Sequence, residues 1–124
     1  MWLLIVRLRR EQNHRYISQE LVNRFFEHIE QNLYSLNIPA NILTREVKDR
    51  IGVFHGGVLA YDEGLCATDA VLAGALWRNL NVKDPIEAAW MTRWVRRECQ
   101  RLEKVTSEEI QRGLVEFEEP LAAL

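Results

Sequence analysis

The longest regular pattern of apolar and polar positions lies in the segment RYISQELVNRFFEHIEQNLYSL, residues 15–36. Its apolar residues recur in steps of three and four, which places them on one face of a helix with 3.6 residues per turn. They are Ile17, Leu21, Val22, Phe25, Phe26, Ile29, Leu33 and Leu36. The spacing predicts a long amphipathic helix, which Pro39 ends.

A second helix is predicted beyond Pro39, and either Asn41 or Thr44 can serve as its N-terminal cap. Its apolar positions are Val47, Ile51, Phe54 and Val58. Three glycines are interleaved with them, and each costs about 1 kcal/mol relative to alanine inside a helix. They are Gly52, Gly56 and Gly57. We therefore expect a neighbouring helix to approach closely here, with a kink in the helix as the alternative.

The stretch AYDEGLCATDA concentrates three carboxylates beside a tyrosine and a cysteine. We interpret this stretch as a joint between two helices. Gly64 suits the left-handed terminus of the first helix, and Thr68 or Asp69 can cap the next one. Asp62 or Glu63 can then accept hydrogen bonds from the backbone amides of the turn, or pair with an arginine.

Two capping signals predict the remaining helices. Asp84 followed by Pro85 is typical of a helix start, and Thr106 with Glu109 three residues later is a capping box for a short last helix. Beyond Gly113, apolar and acidic residues alternate in LVEFEEPL, which favours an extended tail lying against the body. The helix that begins at Asp84 is predicted to bury Ile86, Trp90, Trp94, Val95 and Leu102.

These elements predict an all-α fold, a compact single-domain bundle of about five to six helices with an extended C-terminal tail. A chain of 124 residues is long enough for its own core, and 48% hydrophobic content is ordinary for a globular protein. The net charge of −2 gives no bulk attraction for nucleic acid or anionic lipid. Cys66 and Cys99 lack metal-ligand spacing and are predicted to be reduced core residues.

The first residues of the chain leave almost no polar face on a helix of two turns. They are Trp2, Leu3, Leu4, Ile5, Val6 and Leu8. The apolar run is too short to span a bilayer, and it lacks the basic start and the small-residue cleavage site of a signal peptide. We expect some of this surface to be exposed, and to cause self-association or stabilisation by a partner.

Two chemical alternatives come from charged residues. A small metal-dependent enzyme would use Asp62, Glu63, Asp69 and His55 as ligands and acids or bases. This hypothesis is weak because adjacent residues of the DEG turn point in different directions, and because the common nucleotide-binding and hydrolase motifs are absent from the sequence. The second alternative is an arginine stripe on one side of the helix after Asp84, which can bind RNA or an acidic partner, or can simply be solvated. The stripe consists of Arg93, Arg96, Arg97 and Arg101.

Three segments together resemble the ubiquinol-cytochrome c chaperone family, the assembly factors of respiratory complex III. They are NRFFEHIEQNL, VLAYDEGLCATDAVLAGALWRNL and WVRRECQRLEKVTSEEI, and they span nearly the whole chain in order. The most specific part is YDEG, followed by an acidic capping residue and by LA-x-AL-WRN. Family members usually have a further helical region upstream, so residues 1–124 resemble an N-terminally truncated or short form. The resemblance implies a helical core organised by Tyr61, Asp62, Glu63, Gly64, Asp69, Trp77, Arg78 and Asn79.

The resemblance also implies a chaperone rather than an enzyme, without catalytic residues, cofactor or metal. It implies a small partner assembly protein and newly made cytochrome b as the client, held near the exit of the mitochondrial ribosome. The implied location is the mitochondrial matrix or the inner-membrane periphery, although the sequence shows no targeting segment and bacterial relatives exist. On this hypothesis, the arginine stripe becomes a candidate contact for the ribosome or the nascent chain.

Overall fold

The computed structural model describes residues 1–120, which form six α-helices and no strand. In chain order they are α1 (Trp2–Leu8), α2 (His14–Ser35), α3 (Ala40–Leu65), α4 (Asp69–Asn79), α5 (Pro85–Glu103) and α6 (Ser107–Gln111). The chain then runs without regular structure through residues 114–119, and Leu121 of the predicted tail lies outside the described residues. The all-α prediction is confirmed.

Helices α2 and α3 form a hairpin that packs through aromatic side chains. The ring centroid of Phe54 lies 5.5 Å from that of Phe26 and 6.2 Å from that of Phe25. Helix α3 begins directly after Pro39, so the predicted caps Asn41 and Thr44 are wrong. The Thr44 hydroxyl instead donates a hydrogen bond to a carbonyl of the preceding turn inside the helix.

The YDEG stretch belongs to α3 and is not a turn, so Gly64 is not the left-handed terminus that we expected. Gly64 is buried where α3 crosses α4. A Cβ atom at this position would lie 2.7 Å from the Cα atom of Leu72. The lack of a side chain therefore allows the two backbones to approach each other, and the joint between the helices comes later, at residues 66–68.

The three glycines earlier in α3 do not mediate the close approach that we expected. Gly52 and Gly56 are exposed, and a Cβ atom at either would meet no neighbouring side chain or helix within 4 Å. Gly57 is buried, but against the ring of Tyr61 from its own helix, at 3.2 Å. The close backbone approach of α3 to another helix therefore occurs at Gly64.

The predicted caps of the later helices are partly correct. Asp84 accepts a 2.8 Å hydrogen bond from the backbone N–H of Glu87, and the capping box at the start of α6 is formed. Thr68 is the N-cap residue of α4, as one of the two alternatives predicted, but its side chain makes no capping hydrogen bond. Asp69 is the first residue of α4, and its carboxylate turns to Arg96 at 2.7 Å.

The core lies where α1, α3, α4 and α5 meet. It consists of Trp2, Leu3, Tyr61, Leu72, Ala75, Leu76, Val95 and Leu102. Helix α1 therefore folds back onto the chain and is less exposed than expected: Trp2, Leu3 and Leu8 are buried, whereas Leu4, Ile5 and Val6 are half-buried.

A buried arginine ties α1 to the end of α5. Arg7 donates hydrogen bonds to the carbonyls of Leu102 and Val105, at 2.9 and 2.7 Å, and to Glu11 at 2.9 Å. The last carbonyls of a helix have no partner inside the helix, so a side-chain donor here satisfies groups that would otherwise need water. The contact explains why α1 is held against the body.

Several residues predicted to be buried are exposed. Ile86 is 79% exposed because it lies opposite Ala88 and Thr92, the buried side of α5. Trp77 is 45% exposed, and Arg78 is also exposed, since each lies roughly 100–200° around α4 from the core residue Leu76. Of the WRN residues, Asn79 alone is half-buried and bonds within α4. Cys66 is exposed and Cys99 half-buried, so the expected core position is wrong for Cys66; both thiols are free.

The close crossing of α3 and α4 gives a first prediction. Gly64→Ala should lower the free energy of unfolding by about 1–3 kcal/mol, because the new methyl group meets the backbone of α4 rather than a flexible side chain. The control is Gly56→Ala, in an exposed and open part of the same helix. This substitution should raise the free energy of unfolding by about 0.5–1 kcal/mol. Urea unfolding measures both, and equal effects of the two substitutions would contradict the close contact.

Candidate partner-binding cleft

An open cleft of about 880 Å³ separates the α2–α3 hairpin from α4 and α5. Its walls are mainly apolar and carry several aromatic rings. The hairpin contributes Phe25, Phe26, Ile29, Val53, Phe54 and Tyr61. The opposite wall contains Leu80, Met91, Trp94 and Phe117, and α1 adds Trp2 and Leu3. The cleft thus gathers apolar side chains from five separate parts of the chain.

The cleft walls are accessible from solvent. Val53 is 64% exposed, Leu80 46% and Phe117 40%, although all three are large apolar side chains. Exposed apolar residues are ordinary when scattered singly, but a contiguous set marks a contact surface. The charged residues of the cleft come from the N-terminal half of α3, where Glu46 and Asp49 lie beside Arg50.

Asp62 positions the aromatic residues at one end of the cleft. Its carboxylate accepts a 2.9 Å hydrogen bond from Nε1 of Trp2, and two from Arg9 at 3.0 and 2.7 Å. Partial burial acts to raise the pKa of Asp62, but the hydrogen bonds from Arg9 and Trp2 outweigh it and hold the pKa below its usual value. Of the two roles expected for Asp62 or Glu63, Asp62 takes the pairing with an arginine.

Tyr61 lies beside Trp2, with ring centroids 5.1 Å apart. Burial raises the pKa of Tyr61, so its phenol stays neutral at physiological pH. Since Asp62 fixes the indole of Trp2 and this indole packs on Tyr61, the end of the cleft nearest α1 has a fixed shape.

The structure does not bring the proposed metal ligands together. Asp62 and Asp69 bind different arginines, Arg9 and Arg96. Within residues 1–120, no group of three His, Cys, Asp or Glu side chains is arranged to hold a metal ion. The site formed by Asp62, Glu63, Asp69 and His55 therefore lacks the convergent geometry that this alternative requires.

The arginines on α5 do not form the open stripe that the spacing suggested. Arg96 donates to the carbonyls of Leu65 and Ala67 at 2.8 and 3.0 Å, in addition to Asp69. Arg97 and Arg101 lie against the buried carboxylate of Glu98, leaving Arg93 as the exposed member. The expectation of a continuous exposed stripe is wrong, because three of the four guanidinium groups bind their own chain.

The residues of the cleft were not recognised as a site from the sequence. Helical spacing placed Phe25, Phe54 and Trp94 on apolar faces, and such faces usually belong to the core. A signal is nevertheless present in α2, which carries seven regularly spaced apolar residues, of which Phe26 is buried. Of this surplus of apolar side chains, Phe25 and Ile29 line the cleft. In the described part of the chain, no helix has both the length and the apolar composition to cross a membrane.

An all-helical fold with an open apolar cleft is typical of proteins that bind other polypeptides. The model of the family described as ubiquinol-cytochrome C chaperone matches residues 1–117, and the chain belongs to this family. It is similar to the "Ubiquinol-cytochrome-c reductase complex assembly factor 1" of Xenopus laevis, with 29% identity over 114 residues that cover 89% of this chain and 57% of that protein.

A second curated relative and one solved structure are also similar to this chain. "Protein CBP3, mitochondrial" of Saccharomyces cerevisiae is 30% identical over 128 residues, covering 96% of this chain and 38% of that protein. The crystal structure of the Cbp3 homolog from Brucella abortus has the same fold, with a TM-score of 0.77, 24% identity, and coverage of 95% of this chain and 67% of that one. The chain thus spans 38% to 57% of the length of these curated relatives.

The contacts of Arg96 generate a second prediction. Arg96→Ala should lower the free energy of unfolding by about 1–3 kcal/mol, because it removes charge-assisted hydrogen bonds to the end of α3. Arg93→Ala removes an exposed arginine from the same helix and should change the free energy of unfolding by less than about 0.5 kcal/mol. Thermal or urea unfolding of both variants compares them. Equal stability of the two variants would mean that the bonds of Arg96 contribute nothing.

The lowered pKa of Asp62 generates a third prediction, on pH dependence. The contribution of this carboxylate to stability should be complete above its unfolded pKa, near 3.8, and lost as the pH falls through the lower folded value. Asp62→Asn should therefore destabilise the protein by about 1–2 kcal/mol at pH 7, and by less at pH 3. Asp49→Asn, an exposed carboxylate on the same helix, controls for the change in charge. A loss that is the same at both pH values would contradict this role of Asp62.

Proposed function

We propose that this chain is an assembly chaperone for ubiquinol-cytochrome c reductase, and that it holds an apolar segment of a newly made subunit in the cleft. The observation that carries the proposal is the cleft itself, whose aromatic and aliphatic walls are open to solvent. Membership of the chaperone family and the names of the relatives support the assembly role.

The physical basis for client binding is the removal of apolar surface from water, worth roughly 25 cal/mol per Å² on both partners. This attraction is non-directional, so it suits a segment that has not yet reached its final packing. Met91 adds a flexible and polarizable side chain that adapts to different shapes. The proposed action requires no bond making or breaking, and we therefore assign no catalytic residue.

We further propose cytochrome b as the client, together with a small partner assembly protein near the exit of the mitochondrial ribosome. The support is the family resemblance, and the proposed location is the mitochondrial matrix or the inner-membrane periphery. The name of the yeast relative, which includes the word mitochondrial, supports this compartment. Arg50 pairs with Glu46 at 3.7 Å, so Asp49 at the edge of the cleft favours a client segment that has a basic residue beside its apolar stretch.

The proposal predicts that a charge on the cleft wall blocks the client. Val53→Glu should weaken association with newly translated cytochrome b about tenfold, because a bound apolar segment would have to remove the new carboxylate from water. Val53 is already 64% exposed, so the melting temperature should stay nearly unchanged. Co-purification of the labelled client with the tagged chain measures the association.

The matched control is Val71→Glu, which places the same charge on an exposed valine of α4 outside the cleft. This variant should bind the client as the wild type does. Equal binding by Val53→Glu and Val71→Glu would contradict the assignment of the cleft as the client site.

A further inference from the structure

The C-terminal tail, residues 114–120, already occupies one end of the cleft. The ring of Phe117 packs on Trp94 with a centroid distance of 6.2 Å, and both residues line the cleft. Nε1 of Trp94 donates a 2.8 Å hydrogen bond to the backbone carbonyl of Glu118. Since Trp94 is one of the large aromatic groups of the cleft wall, the tail covers surface that a client would use.

A second set of contacts anchors the tail to charges on α5. The carboxylate of Glu118 lies 3.3 Å from Arg97 and 3.8 Å from Arg101, and its backbone N–H donates to Glu98 at 3.4 Å. Glu98 is completely buried, and the tail helps to enclose it. Two arginines of the predicted stripe are thus engaged with the tail rather than directed at solvent.

The tail is held weakly compared with the helices. Residues 114–119 have no regular structure, Leu114 is 57% exposed and the side chain of Glu118 is 47% exposed, and Val115 is the tail residue that packs against the core. Ion pairs of such exposure contribute little, and the N–H to Glu98 bond is long. Segments with few buried contacts open at a small fraction of the free energy of global unfolding. The tail can therefore leave the cleft while the helical core stays folded.

We propose that residues 114–120 act as a displaceable strap that competes with the client for the Trp94 end of the cleft. This inference rests on the proposed function of the cleft as a binding site. The strap shields exposed aromatic surface when no client is bound, and a segment that reaches Trp94 must displace Phe117. The apparent affinity of the cleft is then reduced by the fraction of molecules whose strap is open.

The experiment measures access to the cleft with the uncharged apolar dye Nile red, using the full chain. Glu118→Lys places a cation against Arg97 and Arg101, whereas Glu116→Lys makes the same charge change on an exposed residue of the same tail. Glu118→Lys should bind the dye about fivefold more tightly than the wild type, as expected if the open fraction rises about fivefold. Glu118→Gln, which removes the ion pairs without adding repulsion, should give a smaller change in the same direction.

Hydrogen exchange of the backbone amides at 115–118 provides the second readout. Exchange should be faster in Glu118→Lys and unchanged in Glu116→Lys, with the same melting temperature. Faster exchange without tighter dye binding would overturn the proposal, because an open tail would then not expose the cleft. Unchanged exchange in Glu118→Lys would overturn it as well, because these contacts would then not hold the tail. The dye reports access to the cleft whether or not the cleft binds cytochrome b. The strap can therefore be tested even if the proposed client is wrong.

Discussion

The arrangement of this protein depends on two arginine side chains that satisfy the backbone carbonyls at the ends of helices. Arg96 of α5 binds the carbonyls after α3, and Arg7 of α1 binds those after α5. Carbonyls at helix ends lack partners inside the helix, and the two guanidinium groups supply bonds that water would otherwise have to make, although Leu102 also accepts from the N–H of Val105. Because each arginine joins two helices, the pair fixes α1, α3 and α5 around one side of the core.

Because the core is closed on one side of the molecule, the cleft on the other side can stay open. The core is complete where α1, α3, α4 and α5 meet, and it does not require the full apolar face of the α2–α3 hairpin. The hairpin therefore presents Phe25, Phe54 and Val53 to the cleft, where they stabilise the fold only in part. A surface of this kind carries a risk of aggregation, and burial of part of it by the chain's own tail reduces that risk.

The helices themselves were predictable because they depend on local signals. Apolar spacing gave α2, and Asp84 and Thr106 gave the starts of α5 and α6, since a cap acts within three residues of its helix. The role of Gly64 was missed because a glycine is needed at this position only on account of Leu72, which lies on another helix. A glycine near a turn signal is read as a helix end, although here the chain continues in helical conformation until Leu65.

The charged residues were harder to interpret than the apolar ones for the same reason. The spacing of Arg96, Arg97 and Arg101 correctly places them close together on α5, but spacing contains no information on which carboxylate or carbonyl faces them. Their partners come from α3, α4 and the tail, and from Glu98 on their own helix. The apolar surplus of α2 indicated that some apolar surface is left over, but the sequence could not locate the cleft, because core and cleft residues have the same chemical character and differ only in what covers them.

Because α3 is one continuous helix, a change of angle at one of its ends moves the other end. Its 26 residues extend over about 39 Å, from the crossing with α4 at Gly64 to the tip of the hairpin. The crossing point lies near one end, so small changes of angle there are amplified along the helix. A rotation of about 10° at Gly64 would displace the far end of α3 by about 6 Å, given the rise of 1.5 Å per residue. The close packing of Gly64 against the backbone of α4 therefore affects the width of the cleft mouth, although Gly64 lies at a distance from it.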